Sequence, residues 1–299
     1  MKIRSILLTS AVMLFCTASI SATTAAHTWV SGSGSDTNPC TFASPCATFA
    51  GALAKTSAGG LIAAKDAGDF GAVNITQSVT IDGSNLGSII NTNTSGTAVN
   101  INASSAVNVI LRNLTIDGVG QGMTGVYFGG AGYLTIDNCR IENITNTAVA
   151  IGNEGAQNVV LRNTVILNST YSFFVWIGTG QVQTSLQNVT IQGATQAAVY
   201  ARSGVTEITN SVLTENLIDV ETDTSSTISV ESSMLTLNYI AVCSYPGTKI
   251  RLENDDIFDN GIGVANCGGQ VKTNGNNRSS GNTNGNLISA SDVSSTALF

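Results

Sequence analysis

The stretch 249-KIRLENDDIFDNGIGVANCGG-269 holds three short apolar runs, around Leu252, Ile257 and Val264, parted by Asn254-Asp255 and Asp259-Asn260. Each run alternates apolar with polar residues, the period-two pattern of a strand with one buried face. Twenty-two residues upstream the same places are taken by Val230, Leu235 and Val242, and 22 before those by Ile208, Leu213 and Val220. Further up the step lengthens to 25, through Leu186, Leu161, Ile136 and Leu111 in the first column and Ile191, Ile166, Ile141 and Ile116 in the second. The third column reads Val199, Phe174, Val149 and Val126 over the same span. A polar column keeps pace: Asn113, Asn138, Asn163, Asn188, Asn210, Ser232, Asn254 and Asn276. A second, Asn216, Asn238, Asn260 and Asn282, repeats at 22.

Self-similarity at a fixed short period marks a repeat architecture. A unit of 22–25 residues with three short β-branched runs does not suit paired helices. It suits one coil of a solenoid, in which each strand pairs in parallel with its counterpart about 4.8 Å away. Inward columns then fuse into a core that no single coil could bury alone. The long asparagine column marks a tight turn, because Asn tolerates the left-handed backbone, and stacked amides can hydrogen-bond along the ladder.

Units such as 133-YLTIDNCRIENITNTAVAIGNEG-155 and 249-KIRLENDDIFDNGIGVANCGG-269 resemble the right-handed parallel β-helix of the pectin-lyase-like superfamily, over roughly residues 60–285. The expected fold is therefore all-β: a right-handed parallel β-helix of about nine coils over 61–286. Handedness comes from the resemblance and from the general right-handedness of parallel crossovers. Such a fold hosts many functions, so it says little about activity.

Outside the coils, Lys2 and Arg4, an apolar run from Ile6 to Phe15 and small residues up to Ala22 or Ala26 read as a secretory signal over 1–26. The protein is expected to be secreted, periplasmic or at the cell surface. Residues 27–60 read as a strand, a loop and a short amphipathic helix carrying Phe49 and Leu53, ended by Gly59-Gly60. That helix would cap the open end of the core. Residues 287–299 read as a C-terminal tail or modest cap, and no stretch beyond the signal is apolar enough to span a bilayer.

Charged residues make up only 10% of the chain, with 12 Lys+Arg against 19 Asp+Glu; without Lys2 and Arg4 the net charge is −9. Such a chain is a poor partner for nucleic acid or anionic lipid, and a monomer is expected. Export permits disulfides. After the signal five cysteines remain, so at least one lacks an internal partner. Cys40 and Cys46 flank a short Pro-containing loop and are the best pair. Cys243 and Cys267 lie in neighbouring coils, offset by two residues, at the margin of what a bridge spans. Cys139, beside Asn138, reads as a buried free thiol.

The resemblance implies that ligands lie along the outer face of the strand after the long turn. If Val175 and Ile177 point inward, the outward positions there are Tyr127, Trp176, Tyr200 and Arg202, then Asp219, Glu221 and Asp223, then Tyr245. Tyr127, Trp176, Tyr200 and Tyr245 offer flat apolar faces to sugar rings; the bland alternative is that the aromatics pack beneath neighbouring turns. Arg202 with Asp219, Glu221 and Asp223 could bind Ca²⁺ or do acid–base work; more commonly such a row is a solvated face. Among relatives implied by the resemblance, pectate lyases use a Ca²⁺-binding carboxylate cluster with a catalytic Arg or Lys, which only these four residues approach. The polygalacturonase pattern needs a His, and the sole His27 is remote from the coils. No metal or cofactor site is expected unless the chain is lyase-like. Arg112, Asp137 and Arg162 are expected to form a surface ion-pair ladder, worth little per pair.

Three functions follow: a non-catalytic protein that binds a polysaccharide or surface glycan on this strand face, a polysaccharide lyase or hydrolase, or a structural or adhesive solenoid.

Overall fold

The computed structural model describes residues 24–284, apart from 153, 154, 177, 179 and 180. It is a parallel β-solenoid. One sheet runs through eleven strands, from Ala25–Val30 and Thr56–Ala64 through Val107–Arg112 and Gly132–Asp137 to Gln270–Thr273. We call it the first ladder. A second ladder contains Thr115–Asp117, Thr190–Gln192 and Met234–Thr236; a third contains Thr124–Phe128, Ala197–Ala201 and Ile218–Thr222. Two long strands, Arg140–Ile151 and Val165–Val175, run through both and join them into one sheet. The register follows the repeat columns: Ile136 pairs with Leu111 and Leu161, and Ile141 with Ile116 and Ile166. Every one of these side chains is buried.

One column departs from its expected register. Val149 pairs with Phe173, not Phe174, and Phe173 in turn pairs with Val199. The cause is a shift between Ile144/Ser169 and Thr147/Tyr171, where the long strand carries one residue fewer through the bend. A one-residue slip turns every following side chain over. Phe173 is therefore in the core and Phe174 faces outward.

The asparagine turn is as expected. Asn113, Asn138, Asn163, Asn188, Asn210, Ser232 and Asn254 all have φ between 50° and 56°. Their amides link coil to coil: Asn138 Nδ2 donates to Asn113 Oδ1 (2.8 Å) and Asn188 Nδ2 to Asn163 Oδ1 (2.9 Å). Of the expected charge ladder, Arg162 pairs with Asp137 at 3.0 Å, whereas Arg112 pairs with Asp82 of the preceding coil at 2.8 Å.

At the N-terminal end the helix is short, Phe49–Leu53. Thr48 caps it by accepting from Gly51 N at 2.9 Å, and Asp36 holds the N–H groups of Ala47 and Thr48. Phe49 and Ala52 face the core, Phe49 with its ring 5.1 Å from that of Phe70. The helix stops before the glycine pair, because Gly59 and Gly60 already belong to the strand Thr56–Ala64. Cys40 is bonded to Cys46, and Cys243 to Cys267 across adjacent coils with Cα atoms 5.6 Å apart. Cys139 is free and buried, and burial pushes its thiol up to about 12. Among the described residues no helix is long and apolar enough to cross a membrane. The signal at 1–26 falls almost wholly outside the described residues, and the tail at 287–299 does so entirely.

Candidate functional site

The third ladder presents two outward columns. Register sets the first as Asn100, Tyr127, Ala150, Phe174, Tyr200, Glu221, Cys243 and Ala265. Two residues on, backbone bonds carry a second column: Trp176 N to Ile151 O, Arg202 N to Val175 O, Asp223 N to Ala201 O and Tyr245 N to Thr222 O, all within 2.9–3.1 Å. The expected residues Trp176, Tyr200, Arg202, Glu221, Asp223 and Tyr245 thus share one face across four coils.

The aromatics gather into a block. The rings of Phe174 and Tyr200 lie 5.0 Å apart and 2° from parallel. Tyr171 stacks on both, at 5.2 Å and 5.8 Å. Trp176 covers Phe174 at 4.6 Å and is 44% exposed, whereas Phe174 is 5% exposed. Tyr171 and Phe174 were missed from the sequence. A signal was there: 171-YSFFVW-176 puts two Phe side by side in a strand, and period-two geometry must turn one outward. Tyr127 stands apart from the block, because Ala150 occupies the coil between. Its ring lies along the strand: a Cβ at Gly129 or Gly152 would come within 2.7 Å of it, so only glycine fits beneath.

Asp219 does not join this face. It is fully buried, on the same strand as Glu221 but turned into the bend before it. Asn216 Nδ2 donates to it at 2.8 Å, and Asn238 Nδ2 donates to its other oxygen. Burial raises its carboxyl well above the usual range. The expected triplet ignored the bend: Asp219 and Val220 are consecutive buried residues, so alternation begins only after them. Asp219 is structural and is withdrawn as a candidate for catalysis.

The remaining polar groups form a connected set. Tyr200 Oη donates to Asp223 Oδ2 at 3.1 Å, and Arg202 Nε lies 3.3 Å from the same oxygen. Tyr245 stands on the next coil beside Glu221. Burial, with the Asp223 charge beside it, pushes the Glu221 carboxyl up to about 7. Burial and the two carboxylates also raise the Tyr200 hydroxyl. Cys243, the register partner of Glu221, is bonded to Cys267, so the disulfide ties the next two coils together beside the acid. A carboxyl near 7 can hold or release a proton at neutral pH, the property a general acid or base needs.

A Ca²⁺ site does not fit this set. With Asp219 in the interior, Glu221 and Asp223 remain, and Asp223 already faces Arg202. Among the described residues no group of three or more His, Cys, Asp and Glu is placed to hold a metal ion.

A separate groove of about 680 Å³ lies over the bend between the second and third ladders, lined by Asp117, Asn143, Thr145, Asn168, Thr170 and Thr195 among others. Its asparagines form a third turn ladder, with Asn143 Nδ2 donating to Asp117 Oδ1 (3.1 Å) and Asn168 Nδ2 to Asn143 Oδ1 (3.2 Å). The groove is lined by no aromatic side chain, and we place the site on the aromatic face.

No family model matches the sequence, and no curated protein does. Among solved structures, the chain is similar to the crystal structure of pectate lyase Pel9A, with a TM-score of 0.57 and 14% identity over 90% of this chain and 83% of that one. That likeness shows the fold alone: a right-handed parallel β-helix.

Proposed function

We propose that this is an exported β-helix protein that binds polysaccharide across the outer face of the third ladder without cleaving it. The observation that carries the reading is the aromatic block of Tyr171, Phe174, Tyr200 and the 44% exposed Trp176, mounted on rigid strands beside polar groups. Flat apolar faces next to fixed hydrogen-bonding groups are the usual makings of a sugar site. Two disulfides suit an oxidising compartment.

The test is a panel of polysaccharides scored for binding. Trp176→Ala with Tyr200→Ala is expected to weaken the best ligand at least about tenfold, with the far-ultraviolet spectrum unchanged. Unaltered binding would sink the reading.

The Glu221 carboxyl favours a second reading, a hydrolase or lyase using Glu221 with Asp223 and Arg202. Release of new reducing ends or unsaturated products by the wild type, abolished in Glu221→Gln, would establish it. An absence of product from every polymer supports the binding protein.

A further inference from the structure

We infer that the glycan taken by this face bears free amino groups, and that Glu221 is the residue that receives one of them. This rests on the polysaccharide-binding reading and names the chemical class of its ligand.

The outward columns of the third ladder from Tyr127 to Tyr245 contain one cation, Arg202. Its Nε lies 3.3 Å from Asp223 Oδ2, an ion pair without a hydrogen bond from that N–H, and Tyr200 Oη donates to the same oxygen. Arg202 and Asp223 therefore balance each other. Glu221 is left as the charge without a cation, held between the Tyr200 ring on one coil and the Cys243–Cys267 bridge on the next. Its neighbour on the next coil in the second column, Tyr245, is neutral. Burial and Asp223 both disfavour its ionised form. A sugar ammonium set against it would relieve both, through a charge-assisted hydrogen bond stronger than any hydroxyl could make.

The platform and the acid are spaced for one ligand. Tyr200 and Glu221 are register partners, so the aromatic face and the carboxyl lie on adjacent coils, about 4.8 Å apart. A sugar ring stacked over Tyr200 and Trp176 would thus hold a substituent of its neighbour beside Glu221. A polyuronate meets the opposite situation. It would bring carboxylates against Glu221 with the only cation on the face already committed, on a chain whose formal net charge is −7. Like charges juxtaposed at an interface work against binding.

The experiment compares oligomers of equal length made of glucosamine, N-acetylglucosamine and galacturonate, by calorimetry and by tryptophan fluorescence at neutral pH. The wild type is expected to bind the glucosamine oligomer about tenfold more tightly than its N-acetylated counterpart, the size of one charge-assisted contact. Glu221→Gln should remove that preference, and Glu207→Gln, on the first ladder, should leave it intact. Equal binding of the two hexosamine oligomers overturns the inference and leaves the glycan reading standing. So does a preference for galacturonate, or a glucosamine preference that survives Glu221→Gln. If none of the three binds and the polysaccharide panel also shows no ligand, the glycan reading falls and takes the inference with it.

Discussion

The 25-residue coils of 107–205 and the 22-residue coils of 206–284 share the turn asparagines, but the shorter coils add a second, buried column. In the longer coils the amides at Asn138, Asn163 and Asn188 are exposed and link side chain to side chain. Their service is the left-handed backbone of the turn. In the shorter coils Asn216, Asn238 and Asn260 are buried in the bend between the second and third ladders. There each backbone N–H donates to the amide oxygen of the next coil, Asn216 to Asn238 at 2.9 Å and Asn238 to Asn260 at 3.0 Å. Each Nδ2 also returns to a backbone carbonyl, as Asn260 does to Leu235 O at 3.0 Å. In the shorter coils the backbone of this bend lies inside, where its N–H and C=O groups need partners. The buried asparagines supply them. In the longer coils the bend stays open to solvent, and the 680 Å³ groove lies over it.

Carboxylates divide the same way. In the longer coils and just before them, Asp137 and Asp82 are held below the usual range: burial opposes this, but Asn163 and Arg162, and Asn113 and Arg112, outweigh it. In the shorter coils burial dominates. It lifts Asp219, takes Glu221 to about 7, and takes Asp255 to about 7 despite bonds from Ser233 N and Glu253 N.

This contrast can be broken experimentally. The largest effect is expected from Asn238→Leu. It strips the acceptor from Asn216 N and a donor from Asp219. Unpaired buried groups cost about 1–3 kcal/mol each, so a loss on the order of 3–5 kcal/mol should appear as a lower urea midpoint. A loss near zero would show that the buried ladder is not what closes the shorter coils.

An effect of intermediate size is expected from pH, read as amide hydrogen exchange corrected for intrinsic rates. Glu221 and Asp255 have raised folded-state values, so their contribution is complete below their ordinary range and is lost as pH rises through about 7. Asp82 and Asp137 have lowered values, so theirs is complete above 3.8 and is lost as pH falls below it. From pH 5 to pH 8 protection should therefore fall in residues 206–284 and hold in 107–205. The reverse pattern would refute the division.

The smallest effect is expected at the exposed ladder. Asn163→Ala should cost about 1 kcal/mol, the penalty for a side chain other than Asn or Gly in the left-handed region, and Asn163→Gly should cost clearly less. Chemical denaturation of the pair checks this. If alanine and glycine were equally harmful, the amide bonds to Asp137 and from Asn188 would matter more than the turn.

Much of the molecule was legible in the repeat. Leu111, Ile136 and Leu161 identify themselves as one buried column because hydrophobic burial acts equally on every coil, and equal forces leave equal residues at equal spacing. The turn asparagines are legible for a similar reason, since few residues accept φ near 50° without strain. Even the two disulfides were within reach, because a repeat places Cys243 and Cys267 on adjacent coils. These features are local, or are copied from coil to coil.

Tertiary structure alone decided the rest, and in each case the reason is a departure from strict repetition. The missing residue in the bend before Phe173 exchanged Phe173 and Phe174 between core and surface, and so built the aromatic block. Asp219 fills the inward position that Ala148, Ser172, Ala198 and Ala241 hold in other coils, and Asn216 and Asn238 bind it there. Period-two reasoning assumes an unbroken strand, and side chains change face wherever a bend adds or removes one residue. The sequence by itself determined the solenoid, its core columns and the face where chemistry could lie. Which acids and rings meet on that face was decided by single-residue shifts at the bends, which only the packed coils reveal.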